Sequence, residues 1–198
     1  KKKGESVFLF AHSMGGGIGA LFLEKYQEYF EKAVLSSPMM EINTGNYSEN
    51  MAYLISKFFI AIGKGNNYIF GQGPFNGEYN LEESATSNQY RYSRHLNALR
   101  ANEVLQRNGG SFKWINEAIK ATRKLKKEEN IKKIQIPILL FQSGKDTFVN
   151  DEGHNTFRKY AKNCKFVRFD NGKHELYFEN DDILEPYLKE IVKFYNEI

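Results

Sequence analysis

Residues Val7-Phe8-Leu9-Phe10 are apolar at every position, and Ala11-His12-Ser13-Met14-Gly15 follows them directly. Four apolar residues in a row read as a buried strand. The pentapeptide is G-x-S-x-G with alanine in place of the first glycine. Gly16 and Gly17 then open an amphipathic helix carrying Ile18, Leu21 and Phe22. Strand, turn and helix form the setting in which this pattern makes a nucleophile elbow, with the serine held in strained backbone and its hydroxyl lifted above the sheet. A bulky side chain two residues before or after Ser13 is expected to clash with neighbouring backbone, and Ala11 and Gly15 meet that demand. Taken alone, the pentapeptide also suits a glycine-rich turn between any parallel strand and helix, so the rest of the chain decides.

Downstream, Ile136-Pro137-Ile138-Leu139-Leu140-Phe141-Gln142 reads as a second buried strand, running into Ser143-Gly144-Lys145-Asp146. Cys164-Lys165-Phe166-Val167-Arg168-Phe169 reads as a third, leading through Asp170-Asn171-Gly172-Lys173 to His174. In an open parallel sheet the loops after the strands gather at one edge, where ligands bind. Residues far apart in sequence therefore converge. Serine, then aspartate, then histidine is the chain order of the α/β-hydrolases. Each residue suits a role: Ser13 forms an acyl-enzyme, His174 takes its proton and returns it to the leaving group, and Asp146 fixes the imidazole tautomer. Asp146 also suits a loop cap before a helix near Asn150, and His174 a surface position beside Glu175. Those bland readings weaken jointly, because strand, Gly-x-Asp, strand, Gly-x-His repeats one placement twice.

The segments Phe10 to Leu23, FAHSMGGGIGALFL, and Ala33-Val34-Leu35-Ser36-Ser37-Pro38-Met39 resemble the bacterial lysophospholipase and monoacylglycerol lipase branch of the α/β-hydrolases. So do Leu99-Arg100-Ala101-Asn102, Gly109-Gly110, Ser111-Phe112-Lys113-Trp114-Ile115, Gln142-Ser143-Gly144-Lys145-Asp146 and Lys173-His174-Glu175-Leu176. The resemblance covers nearly the whole chain. It implies an α/β-hydrolase-type parallel sheet with flanking helices and a helical cap insertion, the same triad of Ser13, Asp146 and His174, and a lipid-like ester as substrate. Ala11 departs from the usual glycine, but alanine is also small. A larger departure lies upstream, where only Lys1-Lys2-Lys3-Gly4-Glu5-Ser6 precedes the elbow strand. The family has several strands there. The backbone N–H of Met14 is one expected oxyanion donor; the other comes, in this fold, from a loop after an earlier strand. The expectation is a C-terminal part of a longer enzyme, its sheet completed by a missing N-terminal segment or a second chain.

The organisation follows from the pattern. Residues 1–37 give strand (7–10), helix (16–29) and strand (33–36) of a hydrolase core. Residues 135–198 give its remainder, with helices at 151–162 and 182–198, the second holding Pro186 near its first turn. Between them, residues 38–134 read as helices broken by Gly- and Asn-rich loops, the expected cap or lid. Within it, residues 51–62 are apolar nearly all round. Buried cap core is the default reading, with an acyl-chain wall or a membrane-touching surface as the alternative. Trp114, Ile115 and Ile119 are expected to pack the cap. Arg91, Arg94 and Arg100 suit a phosphate head group or ordinary surface.

Composition narrows the partners. With 198 residues and net charge +4, the chain has room for one substantial core and no strongly basic face. The dense stretch 121–133 mixes lysines with Glu128 and Glu129, as a solvated helix face does, and nucleic-acid binding is not expected. No apolar run reaches membrane-span length. Cys164, the single cysteine, is expected to fill core space, which fits a reducing compartment. The expected location is cytoplasmic, with peripheral membrane contact. His12, His95 and His154 lack metal-ligand spacing, and Gly15-Gly16-Gly17 lacks the Lys-Ser or Lys-Thr of a phosphate loop. Neither a metal nor a cofactor is expected. His12 is expected to pack under the elbow. The sequence thus reads as a serine esterase cleaving a lysophospholipid or monoacylglycerol. A small-ester or thioester hydrolase, or a non-catalytic binding fragment, is the alternative.

Overall fold

The computed structural model describes residues 6–197. The chain runs β1 (Phe8–His12), α1 (Ser13–Tyr26), β2 (Lys32–Ser36), α2 (Glu49–Ala61), α3 (Gln89–Ala101), α4 (Phe112–Leu125), α5 (Glu128–Ile131), β3 (Ile138–Ser143), α6 (Asp151–Tyr160), β4 (Cys164–Phe169) and α7 (Asp181–Asn196). The lysine-rich start at residues 1–5, and Ile198 at the expected end of the last helix, lie outside the described residues.

The four strands pair in parallel in the order β1-β2-β3-β4. Successive side chains on a strand point to opposite faces, so a fully apolar strand needs cover on both. Ala33, Leu35, Ile138 and Leu140 face one side and pack on Ala20 and Leu23 of α1 and Phe157 of α6. Val34, Leu139 and Phe141 face the other, against Ile183, Tyr187 and Phe194 of α7. Each such side chain stabilises the fold by about 1.5–3 kcal/mol on burial. Helices therefore sandwich the sheet, and all four strands end at one edge. Cys164 packs at the rim of the first cluster, and burial pushes its thiol up to about 12, as a core-filling cysteine requires.

Three elements differ from the sequence expectation. β1 pairs with β2 alone among the described residues, as its single encoded neighbour implies, but it was also expected to be covered on both faces, and Phe8 and Phe10 are 39% and 47% exposed. Its inner face is covered, since Leu9 and Ala11 pack on the core shared with α1. On the outer face Tyr195 stands against Phe8, ring centroids 4.9 Å apart, and Tyr177 against His12 at 5.0 Å. Secondly, α2 is not buried core. Ser56 is its buried residue, accepting a hydrogen bond from Asn116 Nδ2 at 2.9 Å, whereas Met51, Leu54 and Phe58 are exposed. Only one stripe of α2 meets α4, where Ala52 and Tyr53 pack beside Ile115 and Ile119. Thirdly, α7 starts at Asp181, which places Pro186 beyond the first turn, where its ring removes one main-chain hydrogen bond.

Lys126, at the end of α4, donates to Glu41 at 2.6 Å and to Glu49 at 3.1 Å, and Arg123 pairs with Glu49 at 2.7 Å. These contacts tie the segment between β2 and β3 back to the turn after β2. Among the described residues, no helix is long and apolar enough to cross a membrane.

Candidate active site

Ser13 has φ of +52°. A left-handed backbone at a residue with a Cβ costs of the order of 1–3 kcal/mol and persists only where its surroundings enforce it. Here the Met39 N–H donates to the Ser13 carbonyl at 2.7 Å. Behind it α1 presses against the turn after β2: a Cβ at Gly16 would lie 2.6 Å from Pro38 Cβ, and one at Gly17 2.5 Å from the Met39 carbonyl oxygen. Gly15 is different. A Cβ there meets nothing within 4 Å, so the small-residue demand falls on Gly16 and Gly17 rather than on Gly15. The first turn of α1 carries no acidic residue, and His12 makes no side-chain cap to it. The positive end of the helix, with the Met14 N–H, therefore opens beside Ser13 without a carboxylate of its own.

A close backbone approach brings the other two residues together. Gly144 N–H donates to Phe169 O at 2.8 Å and Lys145 N–H to Gly172 O at 2.9 Å. A Cβ on Gly144 would lie 2.4 Å from the Asp170 carbonyl oxygen, so only glycine lets the loops after β3 and β4 touch. Asp146 does not cap α6, whose cap residue is Asn150. Its Oδ1 accepts from the N–H groups of Phe148 at 2.8 Å and Val149 at 3.1 Å, which fixes the carboxylate in its own loop. Its Oδ2 lies 2.6 Å from His174 Nδ1, and His174 Nε2 lies 2.7 Å from Ser13 Oγ. His174 is not a surface residue; it is 5% exposed. A carboxylate at Nδ1 puts the ring proton there, leaving Nε2 as the acceptor for the serine hydroxyl. The three residues so joined can activate a hydroxyl as a nucleophile.

The remaining histidines serve packing. His12 Nδ1 lies 3.0 Å from the Ser36 carbonyl oxygen, and its ring stands 4.8 Å from that of His174 and 5.0 Å from Tyr177. It thus sits beside the relay rather than under the elbow. Burial, with His174 adding to it, lowers its pKa to about 4, so the ring is neutral at pH 7. His154 bridges Pro38 O at 2.7 Å and Gln142, and burial lowers its pKa too. Among the described residues no cluster of His, Cys, Asp and Glu suits a metal ion.

A cavity of about 620 Å³ opens at Ser13 and Met14. Its far wall comes from the segment between β2 and β3, including Ile55, Phe70, Phe112 and Trp114. Trp114 therefore does not simply pack within that segment: its indole N–H meets Met14 Sδ at 3.5 Å, beside the nucleophile. Among the described residues no charged side chain lines the cavity. Arg91, Arg94 and Arg100 are absent from it. Arg91 is engaged by Asp181 and the Glu179 carbonyl, Arg100 by the Gly77 carbonyl, and Arg94 lies over Tyr90. Two neighbours of His174 carried no signal in the sequence. Phe148 places its ring 5.0 Å from the imidazole, and Glu179 is fully buried nearby. That a glutamate is buried is visible only once the fold is known.

Comparison with known proteins gives the family and the fold. The Hydrolase_4 family model, described as serine aminopeptidase, S33, matches residues 1–181. The probable lysophospholipase L2 of Haemophilus influenzae is 31% identical over 191 residues, covering 95% of this chain and 59% of that protein. Lysophospholipase L2 of Escherichia coli K12 is 24% identical over 197 residues, covering 96% and 57%. The chain thus spans less than two thirds of the length of these relatives. Among solved structures, the monoacylglycerol lipase of Paleococcus ferrophilus superposes with a TM-score of 0.71 at 19% identity, over 96% of this chain and 68% of that one. A soluble variant of the Saccharomyces cerevisiae monoglyceride lipase, in complex with a substrate analog, also gives 0.71 at 19% identity, over 97% and 62%. At that identity the likeness concerns the fold, which is that of the α/β-hydrolases.

Proposed function

The chain belongs to the Hydrolase_4 family, and from that premise we propose that it carries the active site of a serine ester hydrolase acting through an acyl-enzyme. The observation that carries the reading is the relay Asp146–His174–Ser13, with bonds of 2.6 and 2.7 Å, at the mouth of a cavity with an apolar far wall. Ser13 Oγ attacks the ester carbonyl as its proton passes to His174 Nε2. The resulting imidazolium is stabilised by Asp146, and it then protonates the departing alcohol. Water, activated by the same imidazole, releases the acid. The developing oxyanion meets the Met14 N–H and the positive end of α1.

The substrate class follows from the cavity. Its apolar far wall and lack of charged lining residues suit a fatty acyl chain better than a charged peptide end. With lysophospholipases among the relatives, the proposed substrate is a lysophospholipid or monoacylglycerol. Residues 38–134 act as the cap that shapes the acyl site, between core parts 1–37 and 135–198. The exposed Met51, Leu54 and Phe58 face is the surface that meets a lipid aggregate. The open edge of β1 is, in this reading, a pairing site for a further strand.

Labelling the full-length protein with a fluorophosphonate tests the chemistry. Wild type is expected to be labelled at Ser13 and to hydrolyse long-chain esters faster than short ones. Ser13→Ala is expected to lose labelling and at least about 10³ of the rate, as triad losses do. A Ser13→Ala protein keeping more than about a tenth of the rate refutes the assignment. Equal turnover of butyryl and palmitoyl esters refutes the acyl site and favours a small-ester hydrolase.

A further inference from the structure

His174 stands in a loop that leaves β4 at Phe169 and passes through residues 170–175 to a short turn, Leu176–Phe178. Its ring bridges two other loops, so its backbone needs firm support. The peptide groups on either side of it supply the clue. The Lys173 N–H donates to Glu179 Oε1 at 2.9 Å, and the Glu175 N–H donates to the Ala85 carbonyl at 2.8 Å. The Glu179 carboxylate also accepts from the Ser87 N–H, 3.1 Å to each oxygen, and from the Asn180 N–H at 3.3 Å. Its residue is 0% exposed. One buried carboxylate thus joins the residue before the histidine to segment 81–91, which lies between β2 and β3.

Other contacts hold the same two stretches together. The Thr86 hydroxyl donates to Phe178 O at 2.7 Å. The Lys173 ammonium donates to the carbonyls of Leu81 at 2.9 Å, Glu82 at 2.6 Å and Ser84 at 3.2 Å. Asn88 Nδ2 donates to Asn180 Oδ1 at 2.9 Å. Burying a carboxylate is costly unless its oxygens are bonded, so a fully buried one accepting three backbone N–H groups marks a position where two acceptor oxygens at fixed places matter.

We propose that Glu179 is a positioning residue for His174: it fixes the histidine loop against segment 81–91 and so holds the imidazole between Asp146 and Ser13. The inference rests on the serine-hydrolase reading above. A shift of about 1 Å at a catalytic group costs up to about 10² in rate. Glu179 touches neither the reacting atoms nor the cavity, whose lining it is not part of, so its loss acts on kcat and leaves substrate binding nearly unchanged.

The test uses Glu179→Gln and Glu179→Ala in the full-length protein, with kcat expressed per site titrated by a fluorophosphonate. Glu179→Gln keeps the volume but must turn its amide NH₂ toward one of the N–H groups. Its kcat is expected to fall about tenfold and that of Glu179→Ala about 100-fold, with KM within about twofold of wild type. The downfield proton NMR signal of the His174–Asp146 hydrogen bond is expected to weaken or move upfield in Glu179→Gln. A purely structural role moves melting temperature and active fraction, not kcat per titrated site. Wild-type kcat per site with an unchanged proton signal in Glu179→Gln overturns the proposal. Should Glu179→Ala not fold, Glu179→Gln decides it. Wild type that fails to label at Ser13 overturns the hydrolase reading instead, and the proton signal still reports whether Glu179 holds the ring.

Discussion

Replacing Gly144 by alanine perturbs the contact that brings the aspartate and histidine loops together. The new Cβ would lie 2.4 Å from the Asp170 carbonyl oxygen and 2.6 Å from Asp170 Cα, both backbone atoms that cannot rotate away. Ordinary contact begins near 3.4 Å, so the loops must part by about 1 Å. Asp146 lies two residues beyond Gly144, and His174 four beyond Asp170. Their bond of 2.6 Å spans the gap. Opening it by the same distance takes it beyond hydrogen-bond length. A displacement of that size costs about 10² in kcat. Overpacking adds about 1–3 kcal/mol of destabilisation, and a chain of this length loses about 2–4 °C in Tm per kcal/mol. The assay is turnover of a chromogenic ester per fluorophosphonate-titrated site, with Tm from circular dichroism. Gly73→Ala is the control, since a Cβ there meets nothing within 4 Å. A Gly144→Ala protein with at least half of wild-type kcat and an unchanged Tm refutes the argument that this approach sets the relay.

At the elbow, Gly17→Ala meets the Met39 carbonyl oxygen at 2.5 Å and is expected to lose about 1–3 kcal/mol. Gly15→Ala, in open space on the same helix, is expected to gain about 0.5–1 kcal/mol; thermal melting distinguishes the two signs. His12 has a folded pKa near 4 against an ordinary 6.5. Between those values the unfolded chain binds more protons than the fold, so stability is complete above pH 6.5 and falls as pH drops toward 4. His154 acts in the same direction. His12→Asn is therefore expected to flatten, but not abolish, the fall in Tm between pH 6.5 and 4. An unchanged slope refutes the assigned burial of the neutral ring.

Much of the site was legible in the sequence because its chemistry is tied to local pattern. Ser13, Asp146 and His174 each follow an apolar strand and stand within two residues of a glycine, and parallel strands end their loops at one edge. The buried faces of β2 and β3 were equally legible, since Val34 and Leu35, or Leu139 and Leu140, need cover on opposite sides. Pattern says which residues share a face but not what stands opposite. Nothing in residues 51–62 shows that α4 covers only one stripe of α2, whereas the open edge of β1 was legible, because only one neighbouring strand is encoded beside it. Nor does composition separate Gly15, which has open space, from Gly16, Gly17 and Gly144, which each touch another segment. Trp114 against Met14, Phe148 against His174 and Glu179 under Lys173 join residues up to 100 positions apart. Such contacts arise only when the chain closes on itself. The sequence singled out the candidate groups, and the tertiary structure decided what brings them together and holds them, because local pattern encodes element and face while support comes from whichever distant backbone packs alongside.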